Sequence, residues 1–217
     1  MKRTRPAGDA VARVVAHVRG ALLEGSLAPG QRLVEADLAR DSGAGRGSVR
    51  EALRRLDAEG TVTLERHRGA SIRKLTRADV VALYDVREVV EGLAARLAAS
   101  KGLGKAIAAA HDSARRAGEK GDAAGYARAN AAFHQAILAA AGHPLLPDLV
   151  ERLRLPVLRV QFRALLGVET IARSQADHAR IVAALRARDP AKAEAAMRAH
   201  IRRSANVVAE LPDSVFG

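Results

Sequence analysis

Residues 42–56 read SGAGRGSVREALRRL, and this stretch decides the fold of the first part of the chain. The small residues at 42–45 predict a tight turn. From Ser48 onward, Val49, Leu53 and Leu56 recur at helical spacing and predict a helix over 48–59. Arg46 and Arg50 are four residues apart, so they share one face of this helix. A tight turn followed by a helix with arginines at its start is typical of a helix-turn-helix that reads DNA.

The sequence before this stretch predicts two more helices. Residues 9–24 form the first one, with Asp9 as its cap and with apolar side chains at i, i+3, i+4 and i+7 spacing: Val11, Val14, Val15, Val18, Leu22 and Leu23. Pro29-Gly30 lies in the break that follows it. A short second helix is expected over 35–40, with Leu38 facing inward.

The sequence after this stretch changes its pattern. Residues 61–64 alternate and are rich in β-formers, 65–69 form a charged turn, and 70–73 return as a second strand. Three helices followed by a small hairpin give the layout of a winged helix-turn-helix. We therefore predict a DNA-binding domain over residues 7–75.

The chemistry of DNA recognition explains the choice of residues. Arginine donates two hydrogen bonds to guanine O6 and N7, and Ser48 suits a phosphate. Basic residues at the tip of the hairpin suit the minor groove or the backbone. The alternative is that Arg50 only solvates an exposed helix. The predicted contact set is Glu35, Arg46, Gly47, Ser48, Arg50, Arg54, Arg66, His67, Arg68 and Gly69.

Charge and composition narrow the class of protein. The 217-residue chain carries a net charge of +12, and residues 1–75 hold 15 Lys/Arg against 9 Asp/Glu, or +6 in about a third of the length. Such a basic N-terminal part favours a polyanion as partner. The absence of Cys excludes disulfides and thiol catalysis. No signal peptide or membrane-spanning run is found, and we expect a cytoplasmic protein.

The remainder of the chain, residues 76–217, predicts an all-helical domain. The expected helices are 77–99, 103–118, 122–141, 145–166, 169–187 and 190–209, separated by Gly and Pro. The predicted fold class is therefore mainly α: a winged helix-turn-helix followed by a helical bundle that binds an effector and forms the dimer.

Three histidines lie on the apolar faces of these predicted helices. His134, His178 and His200 all point inward, and Asn130 precedes His134 by one helical turn. Buried imidazoles are costly without partners. A shared divalent metal would satisfy all three at once, whereas the alternative is that each is a hydrogen-bonded core residue.

Residues 10–74 closely resemble the GntR family of bacterial regulators. The match is carried by LAPGQRLVE at 27–35, Leu38-Ala39, RGSVREALRRL at 46–56, Glu59-Gly60 and Arg68-Gly69-Ala70. The resemblance implies that Arg46 and Arg50 contact DNA and that residues 66–69 form the wing. Gly47-Ser48 stands where the family has Thr or Gly followed by Pro, and Ala44-Gly45 replaces its usual Val-Ser.

Residues 77–209 resemble the FCD branch of that family. The matching pieces are Leu83-Tyr84-Asp85-Val86-Arg87 with Glu91, residues 130–134, residues 178–184, Asp189 and residues 197–200. The resemblance implies a divalent metal held by an Asp and three His, with Asn130 here at the Asp position. These ligands do not distinguish Zn, Ni, Mn or Fe. No organic cofactor is expected.

The FCD resemblance also implies a pocket for a small carboxylate beside the metal. We expect Arg87, helped by Arg163, to pair with that effector carboxylate. The alternative for Arg87 is an ion pair with Glu91, one turn away on the same helix.

The leading interpretation is a homodimeric, effector-controlled transcription regulator of the repressor type, which binds a double-stranded DNA operator and is not an enzyme. Two rival functions remain. A metal-dependent hydrolase would need a general base beside the histidines, and the sequence places none. A sequence-independent architectural protein would bind all DNA alike.

Overall fold

The computed structural model describes residues 7–153 and 168–217. The first part begins with helix α1 (Ala7–Glu24) and a two-residue strand β1 (Arg32–Leu33), followed by α2 (Glu35–Ser42) and α3 (Arg46–Ala58). Strands β2 (Val62–Glu65) and β3 (Gly69–Ile72) complete it. This order confirms the winged helix-turn-helix, and β1 is an addition that the sequence did not predict.

The wing is a small antiparallel sheet in the order β1-β3-β2. Val62 pairs with Ile72 and Glu65 with Gly69, while Arg32 of β1 pairs with Ser71. Val62 and Ile72 are buried. Side chains alternate across a strand, and β3 follows this pattern with Ala70 and Ile72 buried, whereas β2 does not, since Leu64 is exposed.

One apolar core holds this part together. The predicted stripe of α1 is buried at Val14, Val15, Val18 and Leu22, although Leu23 is exposed. Leu38, Val49, Leu53 and Leu56 of α2 and α3 are also buried. Each such aliphatic side chain contributes about 1.5–3 kcal/mol on leaving water, so this core fixes the orientation of α3.

Two predicted details of this part are wrong. Helix α1 begins at Ala7, so Asp9 is not its cap but lies in the first turn, where it accepts a hydrogen bond from Arg13 (3.2 Å). A negative charge in the first turn interacts favourably with the helix dipole. Helix α3 begins at Arg46 and not at Ser48, because Gly45 is extended (φ −74°, ψ 157°) and forms the N-cap.

The second part is helical throughout its described residues. It contains α4 (Arg77–Lys101), α5 (Lys105–Glu119), α6 (Ala123–Ala141), α7 (Leu146–Leu153), α8 (Val168–Arg186) and α9 (Pro190–Ala209), each within a few residues of its predicted start. Asp122 and Asp189 cap α6 and α9 by accepting backbone hydrogen bonds. The predicted helix over 145–166 is described only as far as residue 153.

The core of this part combines small and large side chains. Helix α4 contributes Ala94, Ala95, Ala98 and Ala99, and the larger members include Phe133, Ile137, Leu185, Met197 and Ile201. Helix α9 comes close to α4 at Gly92, where an added Cβ would lie 2.6 Å from Cγ of Arg198. This close packing positions α9, which carries His200.

The chain divides into two compact units between Thr76 and Arg77. The first also includes Asp213–Gly217, where Phe216 is buried and Gly217 N–H donates to the carbonyl of Leu75 (3.0 Å). The sequence had placed these last residues with the helical domain. In the described part of the chain, none of the helices has the length and apolarity needed to span a bilayer.

Candidate DNA-binding surface and candidate metal centre

The turn between α2 and α3 sets the direction of the third helix. Gly43 ends α2 in the left-handed conformation (φ 61°), which glycine adopts without strain. The first backbone N–H groups of an α-helix have no partner within the helix. Gly45, at the N-cap of α3, has no side chain that could accept a hydrogen bond from them. Such a helix start attracts phosphate.

The arginines of α3 lie on the solvent side. Arg46, Arg50 and Arg54 are exposed, as is Gly47, and Ser48 is half-buried. Arg50 Nε donates to Glu35 Oε2 (3.0 Å) across the turn, so two predicted DNA-contacting residues contact each other. Both side chains are largely in solvent, 63% and 42% exposed, and an exposed ion pair of this kind is weak.

The wing presents the predicted basic tip. Arg66, His67 and Arg68 are all exposed, and Arg68 lies 3.4 Å from Glu65. His67 (φ 64°) and Gly69 (φ 86°) both have positive φ, which closes the turn between β2 and β3. Tight closure projects the basic side chains outward from the sheet.

Arg32 is a basic residue that the sequence analysis did not select. It is exposed on β1 and lines a cleft of about 410 Å³ together with residues of α2, α3 and the wing, among them Glu35 and Gly69. Nothing in the sequence indicated that Arg32 lies in a strand beside the wing, because the two residues of β1 are too few to show a periodic pattern.

The three predicted histidines come together in the helical unit. His134 on α6, His178 on α8 and His200 on α9 are all buried, at 3%, 0% and 4% exposure. One potential ligand nitrogen from each lies within 4.8 Å of the others. Their ring centroids are 4.8–5.6 Å apart. Residues 44 and 22 positions apart in sequence therefore form one imidazole cluster.

The partners of the three rings differ. His134 Nδ1 lies 2.6 Å from Glu91 Oε2, and both side chains are buried. His200 Nδ1 lies 3.4 Å from Asp177 Oδ2, although no hydrogen bond forms there. His178 has no hydrogen-bond partner on either nitrogen among the described residues. Its ring instead stacks on Phe133, with centroids 4.3 Å apart.

The electrostatics around His178 favour its neutral form. Burial first, and then the nearby imidazoles of His200, His134 and His111, hold the pKa of His178 well below its usual range. Burial alone would raise the pKa of Asp177, but His200 and Arg203 outweigh it and lower that pKa to about 2. A neutral imidazole is the form that binds metals, and a nearby carboxylate offsets a cation's charge.

The remaining predicted residues of this site have different environments. Asn130 Oδ1 is buried without a hydrogen-bond partner in the described part of the chain. Arg87 is 11% exposed, donates from Nε to Glu91 Oε1 (2.9 Å) and lies over the ring of Tyr84 at 4.7 Å. The ion pair given as the alternative for Arg87 is thus present. Arg163 lies outside the described residues.

His111 on α5 was assigned no role from the sequence. Its ring centroid lies 6.0 Å from Phe133 and 6.5 Å from His178, and its Nδ1 is buried without a partner among the described residues. Burial lowers its pKa. Asp112 and the nearby arginines give this segment a polar sequence, which does not indicate a buried histidine. Only the packing of the helices shows that His111 faces Phe133 and His178.

Two family models match the chain. Residues 10–72 match "Bacterial regulatory proteins, gntR family", and residues 82–203 match the FCD domain. The chain is 30% identical over 182 residues to a probable D-xylose utilization operon transcriptional repressor of Paenarthrobacter nicotinovorans, covering 83% of this chain and 80% of that one. It is also 30% identical over 192 residues to the HTH-type transcriptional repressor GlaR of Escherichia coli, with coverages of 83% and 87%.

Solved structures share the fold at lower identity. A putative GntR regulator from Rhodococcus sp. RHA1 superposes with a TM-score of 0.76 at 24% identity, covering 93% of this chain and 99% of that one. E. coli McbR/YncC gives a TM-score of 0.75 at 21% identity, with coverages of 92% and 96%. The chain belongs to the GntR family of bacterial transcriptional regulators, in the branch that carries an FCD domain.

Proposed function

We propose that this regulator is a repressor whose helical unit binds a divalent metal and a small carboxylate effector. The observation that carries the proposal is the cluster of three buried histidines, whose potential ligand nitrogens lie within 4.8 Å of one another. Burial of three imidazoles is costly unless each is satisfied, and a metal satisfies them together. Effector binding then favours one arrangement of the protein over another.

On the DNA side, the proposal assigns base contacts to Arg46 and Arg50. Both are exposed at the start of α3, where Gly45 provides no side-chain cap, and such a helix start supports phosphate binding. Glu35 holds Arg50 in solvent, and exchange of that exposed pair for a guanine costs little. Gly47, Ser48 and Arg54 supply further contacts from α3, and residues 66–69 supply those of the wing.

The residues of the histidine cluster fit a divalent metal. His134, His178 and His200 each have a nitrogen available to the centre, and Asn130 has an orphaned buried oxygen. An amide oxygen ligates without charge, so the ligand set is neutral and favours weaker binding than an Asp would give. The metal, when bound, supplies a positive centre to which an effector carboxylate is attracted, and Zn, Ni, Mn and Fe all suit these ligands.

The proposed homodimer is supported by an apolar stripe on α4. Val86, Val89 and Leu93 are exposed at 45%, 56% and 36%, and they recur at helical spacing. Exposed apolar side chains in one row mark an interaction surface. A second copy of this chain is the proposed occupant, because two winged domains then match a near-palindromic operator. The cytoplasm, where bacterial DNA lies, is the proposed location.

Binding to DNA tests the regulator against its architectural rival. Fluorescence anisotropy at fixed salt should give at least a thousand-fold tighter binding to the DNA upstream of the protein's own gene than to scrambled DNA of equal length, about 4 kcal/mol of preference. Equal affinities would leave only the architectural function.

Native mass spectrometry tests the metal. We expect wild-type protein loaded with metal to carry one divalent ion per chain, and His178→Ala to carry none. His143→Ala is the matched control, because His143 lies in the turn before α7, outside the cluster. A loaded His178→Ala variant, or an unloaded wild type, would refute the metal centre.

A thermal-shift screen of small carboxylic acids, with and without the metal, tests the effector. Arg87→Lys should weaken the response, because an ammonium cannot form the bidentate pair.

Sedimentation tests the dimer: Val89→Glu should produce monomers, and a dimer that persists would place the interface elsewhere.

A further inference from the structure

Glu91 is a buried acid that neither DNA binding nor metal ligation uses directly. It lies on α4 with only 1% of the residue exposed. Its Oε1 accepts from Arg87 Nε at 2.9 Å, and its Oε2 lies 2.6 Å from His134 Nδ1. Glu91 therefore connects the proposed effector-binding arginine with one of the proposed metal ligands.

The geometry at His134 determines where its proton sits. A carboxylate offers only acceptor atoms, so a hydrogen bond to Glu91 requires a hydrogen on His134 Nδ1. A neutral ring then carries its lone pair on Nε2, the nitrogen through which His134 would ligate a metal. A carboxylate behind a histidine fixes the tautomer and the ring orientation of a metal ligand in this way. His178, in contrast, has no such partner among the described residues.

The role of Arg87 follows from the burial of Glu91. A buried carboxylate is costly unless its oxygens accept hydrogen bonds. Arg87 donates to Oε1 while His134 Nδ1 lies at Oε2, so the guanidinium helps to orient the carboxylate towards His134. An arginine has no acceptor atom, so the side chain at position 91 must present an oxygen to Arg87.

We propose that Glu91 is a positioning residue that selects the metal-binding tautomer of His134 and is itself oriented by Arg87. This inference rests on the proposed metal centre. It implies that the carboxylate site at Arg87 and the metal site share one buried side chain, so that binding at one changes the affinity at the other.

The isosteric change Glu91→Gln gives a specific expectation. Arg87 can only donate, so the glutamine must turn its carbonyl oxygen towards Arg87 and its NH₂ towards His134. The NH₂ then donates to Nδ1, which drives the ring hydrogen onto Nε2 and blocks the ligand position. In the double variant Arg87→Met/Glu91→Gln the carbonyl is free to turn back to His134, and the Nδ1–H tautomer returns.

Titration of the full chain with Zn²⁺ alone, against a fluorescent chelator, measures the consequence. We expect Glu91→Gln to weaken Zn²⁺ binding by about 10- to 100-fold, and the double variant to regain part of that loss. Glu88→Gln is the matched control, since Glu88 is on the same helix but accepts from Arg198 and Arg202. It should change the affinity by less than about threefold. An unchanged Glu91→Gln, or a double variant weaker than Glu91→Gln, would overturn the proposal.

Nitrogen-15 NMR of the histidines provides a readout that does not depend on metal or on the variants. In metal-free wild type at pH 8, His134 should be the Nδ1–H tautomer, and Nε2–H would overturn the proposal even if Zn²⁺ binds. If the wild type has the Nδ1–H tautomer but binds no Zn²⁺, the metal centre fails while the positioning by Glu91 stands. If Glu91→Gln does not fold, this spectrum alone decides.

Discussion

The two units contain the same ion pair in opposite surroundings. In the DNA-binding unit, Arg50 and Glu35 lie 3.0 Å apart with side chains 63% and 42% exposed. In the helical unit, Arg87 and Glu91 lie 2.9 Å apart with side chains 11% and 2% exposed. Nearly equal distances thus accompany very different environments.

The comparison shows how burial assigns roles to identical chemistry. Water competes with the exposed pair, so Arg50 can leave Glu35 for DNA at little cost. No water replaces the partners of the buried pair, so Arg87 and Glu91 are bound to their positions. The first pair is suited to exchange with an external partner, and the second is suited to holding a neighbouring histidine.

The largest effect is expected from breaking the buried pair. Arg87→Ala removes the guanidinium that pairs with the buried Glu91 carboxylate and should lower the free energy of unfolding by about 3–5 kcal/mol. Urea denaturation followed by circular dichroism measures this. A loss below about 1 kcal/mol would mean that the buried pair contributes no more than the exposed pair, which would contradict the role assigned to burial.

A smaller effect, on binding alone, is expected from Arg50→Ala. Loss of a bidentate guanine contact should weaken operator binding by about 1–3 kcal/mol without changing the free energy of unfolding. Arg55→Ala is the control on the same helix, since Arg55 pairs with Glu59, which also pairs with Arg19 of α1. Equal losses for both variants would show that general charge, and not base reading, accounts for binding.

A pH titration of stability sharpens the contrast further. The pKa of His178 is lower in the folded protein than in the unfolded chain, where it is about 6.5. Below that pH the unfolded chain takes up a proton that the folded protein does not, so stability falls as pH decreases, by up to about 1.4 kcal/mol per pH unit. Thermal unfolding in EDTA between pH 8 and 5 should show this slope, and His178→Leu should flatten it. An equal slope in the variant would assign the effect to other groups.

The smallest effect is expected from Glu35→Ala. Removing an exposed partner should change the free energy of unfolding by less than about 1 kcal/mol. Urea denaturation beside Arg87→Ala tests both ends of the comparison in one assay. A loss of several kcal/mol would show that Glu35 supports the turn between α2 and α3.

Much of the fold could be predicted because its signals are local. The apolar spacing of Val49, Leu53 and Leu56 and the glycines beside them place α3, whatever the remainder of the chain does. Errors occur where local signals are absent: the start of α1 before Asp9, and the two-residue strand β1. The apolar spacing of the sequence does not show where α1 begins, and β1 exists only because it pairs with β3.

The histidine cluster was predictable only in part, for a similar reason. Helical periodicity predicts that His134, His178 and His200 point inward. It cannot show that His111 approaches His178, since that contact depends on how α5 packs beside α6 and α8.

The sequence by itself determined the winged helix-turn-helix, the helical second unit and the basic residues of α3 and the wing. These follow from short-range spacing and from the fixed geometry of helices and turns. Only the tertiary structure decided that Glu91 joins Arg87 to His134, a contact across 43 positions of sequence. Periodicity gives the face on which a side chain lies, whereas its partner depends on the packing of separate helices.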